Sequence, residues 1–171
     1  MWPRWLIAAL VLSAAAAQAG EGEWAFVAGR STESGETDVA RLLYRQSLPA
    51  SAWWAPTHLQ LGAGVWRVPD FRGRTRRFDL NATPVWRSET GWGFVEAGLG
   101  AYLLSHTINN ATHRLPSSFQ FGSHAGMAFR LGRGRSIGIA VQHLSNAGLK
   151  QPNGGIDLIL LQYTLVAGPS A

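Results

Sequence analysis

The chain of 171 residues contains no cysteine. No disulfide framework can hold it, so its stability must come from its own architecture. Charged residues are sparse, at 15%. Beyond the first 19 residues no run of 18 apolar residues occurs, which excludes a further membrane span of the helical type. Low-complexity linkers, coiled-coil heptads and repeats of solenoid length are missing as well. These absences leave room for one domain and no modular array.

What is present is an apolar leader, abundant glycine and tryptophan, and a persistent alternation. The leader reads MWPRWLIAALVLSAAAAQAG. Arg4 supplies a short positive region, residues 5–16 an apolar stretch, and Ala17-Gln18-Ala19 a cleavage pattern. Residues 1–19 are therefore expected to be a cleaved signal peptide and residues 20–171 the folded domain. Export removes nucleic acid from the plausible partners.

After the leader the dominant period is two. Leu59, Leu61, Ala63 and Val65 alternate with His58, Gln60, Gly62 and Gly64. Val95, Ala97, Leu99, Ala101 and Leu103 oppose Glu96, Gly98 and Gly100. Phe119, Phe121, Ala125, Met127 and Phe129 oppose Gln120, His124 and Arg130. Such alternation marks strands with one apolar and one polar face. It predicts eight strands, near 22–30, 37–47, 57–67, 77–88, 92–105, 118–131, 136–146 and 156–167. Each is about ten residues, enough to cross a bilayer when tilted.

The connectors alternate too. RSTESGE, PDFRGRTRR, HTINNATHRLPS and NAGLKQPNGG are polar and mostly long; SETG and GRGR are tight. This is the pattern of an eight-stranded antiparallel transmembrane β-barrel in the bacterial outer membrane, its N-terminus on the periplasmic side. Trp24, Trp53, Trp54, Trp86 and Trp92 would then form one aromatic girdle at the periplasmic interface. A soluble barrel of lipocalin type shares the alternation with inside and outside exchanged. The less apolar face carries glycines with Arg41, Arg45, Asp79, Arg87, Glu96 and Arg130, which suits a narrow lumen with internal ion pairs. The other face is bulky and almost uncharged, and favours lipid.

On that face one stretch breaks the rule. In HLSNAGLKQPNGGID, His143 and Ser145 continue the parity of Ile137, Ile139 and Val141, and Asp157 shares that of Ile159 and Leu161. Ionisable groups facing lipid are expensive, and folding alone does not explain them. A hairpin centred on Lys150 sets His143 opposite Asp157, within reach of a carboxylate–imidazole hydrogen bond. Ser145 lies two residues from His143 on one strand. The implied chemistry is attack by Ser145 on a carbonyl, with His143 taking its proton and Asp157 orienting the imidazole.

The stretch AVQHLSNAGLKQPNGGID resembles the C-terminal signature of the lipid A 3-O-deacylases, Gram-negative outer-membrane enzymes. The shared pattern is His-x-Ser-Asn-Ala-Gly, a Pro-Asn loop, then an acidic residue. The resemblance implies an eight-stranded membrane barrel that hydrolyses the ester-linked acyl chain at position 3 of lipid A. It assigns the catalytic histidine to His143 and the nucleophile to Ser145. The acid of that family is commonly glutamate; here the position is Asp157, shorter by one methylene. The asparagine after the serine matches Asn146, which with the Gly148 amide would serve the developing oxyanion.

Arg72, Arg74, Arg76 and Arg77, with Arg67, read either as a solvated basic loop or as a site for substrate phosphate, which the guanidinium fork suits. His106 and His113 read as solvated loop residues without metal spacing. The expected partners are lipid A or lipopolysaccharide as substrate and outer-membrane lipids; a homodimer is compatible with the pattern. No cofactor and no metal is implied. Two alternatives stand beside the esterase: a non-enzymatic adhesin or structural barrel, and a phospholipase or acyltransferase on the same scaffold.

Overall fold

The computed structural model describes residues 22–33, 37–49, 52–70, 73–109, 114–151 and 154–167. The expected signal peptide, Arg72 and His113 lie outside the described residues. The strands are β1 (Gly22–Ser31), β2 (Asp38–Ser47), β3 (His58–Asp70), β4 (Gly73–Glu89), β5 (Gly93–Leu104), β6 (Ile108–Asn109), β7 (Arg114–Leu115), β8 (Phe119–Gly132), β9 (Arg135–Ser145) and β10 (Ile156–Ala167). Eight of them close into a barrel in the order β1-β10-β9-β8-β5-β4-β3-β2, while β6 and β7 form a separate ribbon. Every barrel neighbour is antiparallel, including the closing pair β1 and β10.

Alternation decides which side chains face in. Phe26, Leu42, Phe78, Leu99, Leu103, Phe129, Ile139, Val141 and Ile159 are exposed on the outer wall. The buried set is rich in polar groups: Arg41, Arg45, Gln60, Asp79, Asn81, Thr83, Arg87, Glu96, Gln142 and Gln162. A soluble barrel would show the reverse. An apolar exterior around a polar interior is the membrane-barrel arrangement, and the soluble alternative falls. Trp24, Trp53, Trp54, Trp86 and Trp92 are all exposed at the end that holds the start of β1 and the tight turns.

The lumen is a packed interior and not a channel. In its lower part Arg45 Nη2 donates to Glu96 Oε1 at 3.0 Å, and Arg87 reaches Glu96 Oε2 at 3.0 Å and Glu23 at 2.8 Å. Higher up, Arg41 Nε and Trp66 Nε1 both donate to Asp79 Oδ2, at 2.9 and 2.6 Å. Removing one member of such a buried pair strands its partner, at about 3–5 kcal/mol. An enclosed space of about 20 Å³ beside Arg41, Tyr102, His124 and Gln142 has room for about one water.

Above this network the interior turns apolar. Trp66, Val68, Leu104, Leu144, Ile156 and Leu158 meet Ile108 and Leu115 from the β6–β7 ribbon. The ribbon therefore caps the mouth, although HTINNATHRLPS reads as a plain polar loop. Leu144, Ile156 and Leu158 flank the candidate site residues in sequence and are almost fully buried, at 0, 1 and 0% exposure. Burying each is worth about 1.5–3 kcal/mol. A slip of one residue would turn all three out to lipid, so they lock their neighbours' outward orientation.

Two further expectations change. PDFRGRTRR was expected to be a long loop, but β3 and β4 stay paired through Asp70 and Gly73. Alternation persists through Trp66 and buried Val68, so the arginines extend a projecting hairpin instead of ending it. Arg130 does not enter the lumen. It is exposed, ion-pairs with Glu89 and donates to the Thr90 carbonyl at 2.9 Å. A register irregularity between Arg130 and Gly132 sits at that strand end.

Candidate active site

His143 is opposed by Asp157 across the β9–β10 ladder. Opposed residues have Cβ atoms about 4.5–5.5 Å apart, close enough for a short carboxylate to reach an imidazole. His143 Nδ1 and Asp157 Oδ1 lie 2.7 Å apart. An N–H at Nδ1 donates to the carboxylate and leaves Nε2 as the accepting end. The two side chains are 50 and 55% exposed on the outer wall. The Asp157 carbonyl also accepts a hydrogen bond from Thr32 N at 2.9 Å, which ties the site strand to the segment following β1.

Ser145 ends β9, half-buried and opposite Phe121 of β8. It shares the outward parity of His143, with a Cα spacing of about 6.8 Å expected for alternate strand residues. No hydrogen bond joins Ser145 Oγ to His143 Nε2 among the described residues. Substrate-free catalytic contacts are often long and tighten only when substrate arrives.

The loop after Ser145 turns at once. Leu149 N donates to the Asn146 carbonyl at 3.1 Å, with φ of 53° at Ala147 and 81° at Gly148. These angles are those of a type I′ turn, which needs a left-handed backbone at both central residues. Asn146 is fully buried. Its Nδ2 donates to the Lys150 carbonyl at 2.8 Å, and its Oδ1 accepts from Gly148 N at 3.0 Å. The two donors expected to serve an oxyanion are thus engaged inside the loop, and Asn146 faces away from Ser145. As placed, they build the turn that ends β9 at the serine.

A glycine completes the site. Gly155 precedes β10 at a φ of +62°, and a Cβ on it would sit 2.8 Å from His143 Cε1 and 3.4 Å from Nε2. The sequence shows this residue only as a turn glycine; its contact with the imidazole depends on the folded register. Gly155→Ala should displace the ring from Asp157 and lower the turnover rate about a hundredfold, the order of loss for a misplaced catalytic group. Gly132→Ala is the control. Gly132 has a φ of +83° with nothing within 4 Å, so it shares the backbone cost but not the collision. Equal turnover rates in the two variants would contradict this role.

The basic residues separate. Arg74 and Arg76 have the outward parity of β4, and Arg74 Nη1 donates to Asp38 Oδ2 at 3.3 Å. Arg77 has the opposite parity, opposes the buried Trp66 and donates to the Arg76 carbonyl at 3.4 Å. Around the barrel β4 stands three strands from β9 and four from β10. The hairpin therefore lies across the barrel from the His143–Asp157 pair. No group of three or more His, Asp or Glu residues is placed to hold a metal among the described residues.

Comparison with known proteins places the chain in a family. The family described as "Lipid A 3-O-deacylase (PagL)" matches residues 38–165. Lipid A deacylase PagL of Bordetella bronchiseptica is 42% identical over 106 residues, which cover 61% of this chain and 59% of that protein. The chain thus spans about three fifths of that relative's length. Its counterpart from Pseudomonas aeruginosa is 30% identical over 148 residues, 79% of this chain and 84% of that protein. The crystal structure of the outer membrane enzyme PagL superposes with a TM-score of 0.67 at 28% identity, covering 84% of this chain and 98% of the other. Neisserial surface protein A superposes at 0.52 with 9% identity over 86% of this chain and 94% of its own, a likeness of fold alone. With a matched region that includes β2 to β10 and the outward His143–Asp157 pair, the chain belongs to the lipid A 3-O-deacylase (PagL) family.

Proposed function

We propose that the protein is an outer-membrane esterase that hydrolyses the 3-O-linked acyl chain of lipid A, with Ser145 as nucleophile, His143 as general base and Asp157 as the orienting acid. The observation that carries this reading is an imidazole–carboxylate pair on the lipid-facing wall. A charge there costs up to about 2–4 kcal/mol at the bilayer centre and about 0–1 kcal/mol near the interface. The pair sits at the strand ends, near the interface, where the cost is small. It makes physical sense for a substrate that arrives laterally, with chains in the bilayer and the ester at its edge.

The geometry supports the following chemistry. Asp157 holds the imidazole with Nε2 free. Nε2 takes the Ser145 proton as Oγ bonds to the ester carbon. The tetrahedral intermediate collapses, His143 returns the proton to the departing sugar oxygen, and an acyl-enzyme remains. Water, deprotonated by His143, then attacks the acyl-enzyme, and, as the fatty acid leaves, His143 returns the proton to Ser145 Oγ. For Asn146 and Gly148 to serve the oxyanion, each would exchange its loop hydrogen bond when substrate binds. Arg74, Arg76 and Arg77 attract phosphorylated headgroups through space, which raises encounter rather than ester chemistry.

The test is mass spectrometry of lipid A from cells with and without the protein. Loss of one 3-hydroxyacyl chain is expected. Unchanged lipid A would return the chain to the non-enzymatic barrels, and deacylated glycerophospholipid instead would favour a phospholipase.

A further inference from the structure

We propose that the substrate lies across β10, β1, β2 and β3, with a phosphate of its headgroup on Arg30 and Arg67 and a neighbouring acyl chain in the groove below them. The proposal rests on the deacylase reading and adds an orientation to it. From Ser145 a lipid can extend in two directions around the wall. Toward β8 and β5 the outward residues of this half are Phe119, Phe121, Ser123, Leu99, Ala101 and Leu103, none of them charged. Phe119 and Phe121 fill that side edge to face, 5.0 Å apart.

Toward β1 the surface is different. Barrel closure pairs β1 with β10 and sets Arg30 opposite Ile159, one outward position from Asp157. The row continues through Asp38 on β2, Arg67 on β3 and Arg76 on β4. Arg30 Nε donates to Asp38 Oδ1 at 2.7 Å, and Arg74 reaches the other oxygen of the same carboxylate. Two guanidinium groups thus share the Asp38 carboxylate, Arg67 and Arg76 continue the row, and exposed Glu33 lies in the adjoining connection. A phosphate is the ligand such a row recognises, since each guanidinium can present two parallel N–H donors.

Directly below, on the membrane side, the outer wall is hollow. Ala28 and Ala40 oppose each other and form the floor. Phe26, Leu42, Phe78 and Leu161 stand around them, and the groove measures about 590 Å³. That volume falls in the range of small-molecule sites. Its lining is apolar, and it opens toward lipid beneath the arginine row. A phosphate above an apolar groove is the outline of a phosphorylated, multiply acylated lipid. From Ser145 on β9, Arg30 on β1 stands two strand spacings away, about 10 Å, and Arg67 on β3 four, about 19 Å, which its long side chain shortens. One such lipid can therefore place an ester at Ser145 and a phosphate on this row.

The test uses the full chain in detergent micelles and two substrates: phosphorylated lipid A and the same lipid A after chemical removal of its phosphates. The wild type should prefer the phosphorylated form. In Arg30→Gln/Arg67→Gln that preference, as a ratio of kcat/KM, should fall about tenfold, carried by KM, as expected for lost charge-assisted hydrogen bonds. Arg67→Gln alone leaves the Arg30–Asp38 pair in place and should give part of the same change. Ala40→Phe fills the groove and should raise KM for both forms of lipid A relative to a single-chain ester. An unaltered preference in both arginine variants, or an Ala40→Phe variant with wild-type KM on lipid A, overturns the orientation. A wild type that cleaves a simple ester but leaves both forms of lipid A intact overturns the deacylase reading itself.

Discussion

Ser145→Ala should abolish deacylation while the barrel stays folded. The substitution removes one hydroxyl from a half-buried residue at the end of β9, and that hydroxyl makes no hydrogen bond among the described residues. The lumen network and the cap beneath the β6–β7 ribbon are untouched, so the barrel should keep its heat-dependent shift on gels. The chemical effect is of another order. Without the nucleophile no acyl-enzyme forms, and loss of a triad serine lowers turnover by about four to six orders of magnitude. Lipid A mass spectra from cells carrying the variant should match those of cells lacking the protein. Full deacylation by Ser145→Ala would remove Ser145 from the mechanism and leave the outward His143–Asp157 pair without its proposed purpose.

Asp157→Asn is expected to have the next largest effect. The amide keeps the size of the carboxylate but loses the charge that stabilises imidazolium and the acceptor that holds Nδ1–H. A drop of about two to four orders of magnitude follows, with residual activity because serine and histidine remain. The barrel should be no less stable, since the variant removes a charge from the lipid-facing wall. Asp157→Glu tests reach. The shorter acid already stands 2.7 Å from Nδ1, because the register sets it directly opposite His143. The added methylene must fold aside, so a mild loss is expected and no gain. Parent rates for Asp157→Asn between pH 6 and 8 would place the acid elsewhere or reduce the site to a Ser–His dyad.

The sequence by itself determined the barrel and the outward site. Strand alternation has a period of two and is a local property. Ile139, Val141, Ile159 and Leu161 read outward from their own neighbours, and His143, Ser145 and Asp157 inherit that parity. The opposition of His143 and Asp157 was also legible, because a hairpin centred on Lys150 joins two consecutive strands. Tertiary structure decided what depends on partners distant in sequence or on the exact course of a loop. The β3–β4 hairpin runs on through its arginines because buried Val68 continues the inward row. Arg130 shares the parity of the lumen residues, yet it sits where the strand register breaks, and it turns outward to Glu89. Asn146 and Gly148 spend their donors on the turn, as only the loop's folded path reveals. Gly155 matters because its missing Cβ leaves space for an imidazole. Above all, closure of the barrel brings the first strand beside the last and places Arg30 next to the site. A pattern of alternation fixes which way each side chain points; only the closed ring fixes which distant strands stand side by side.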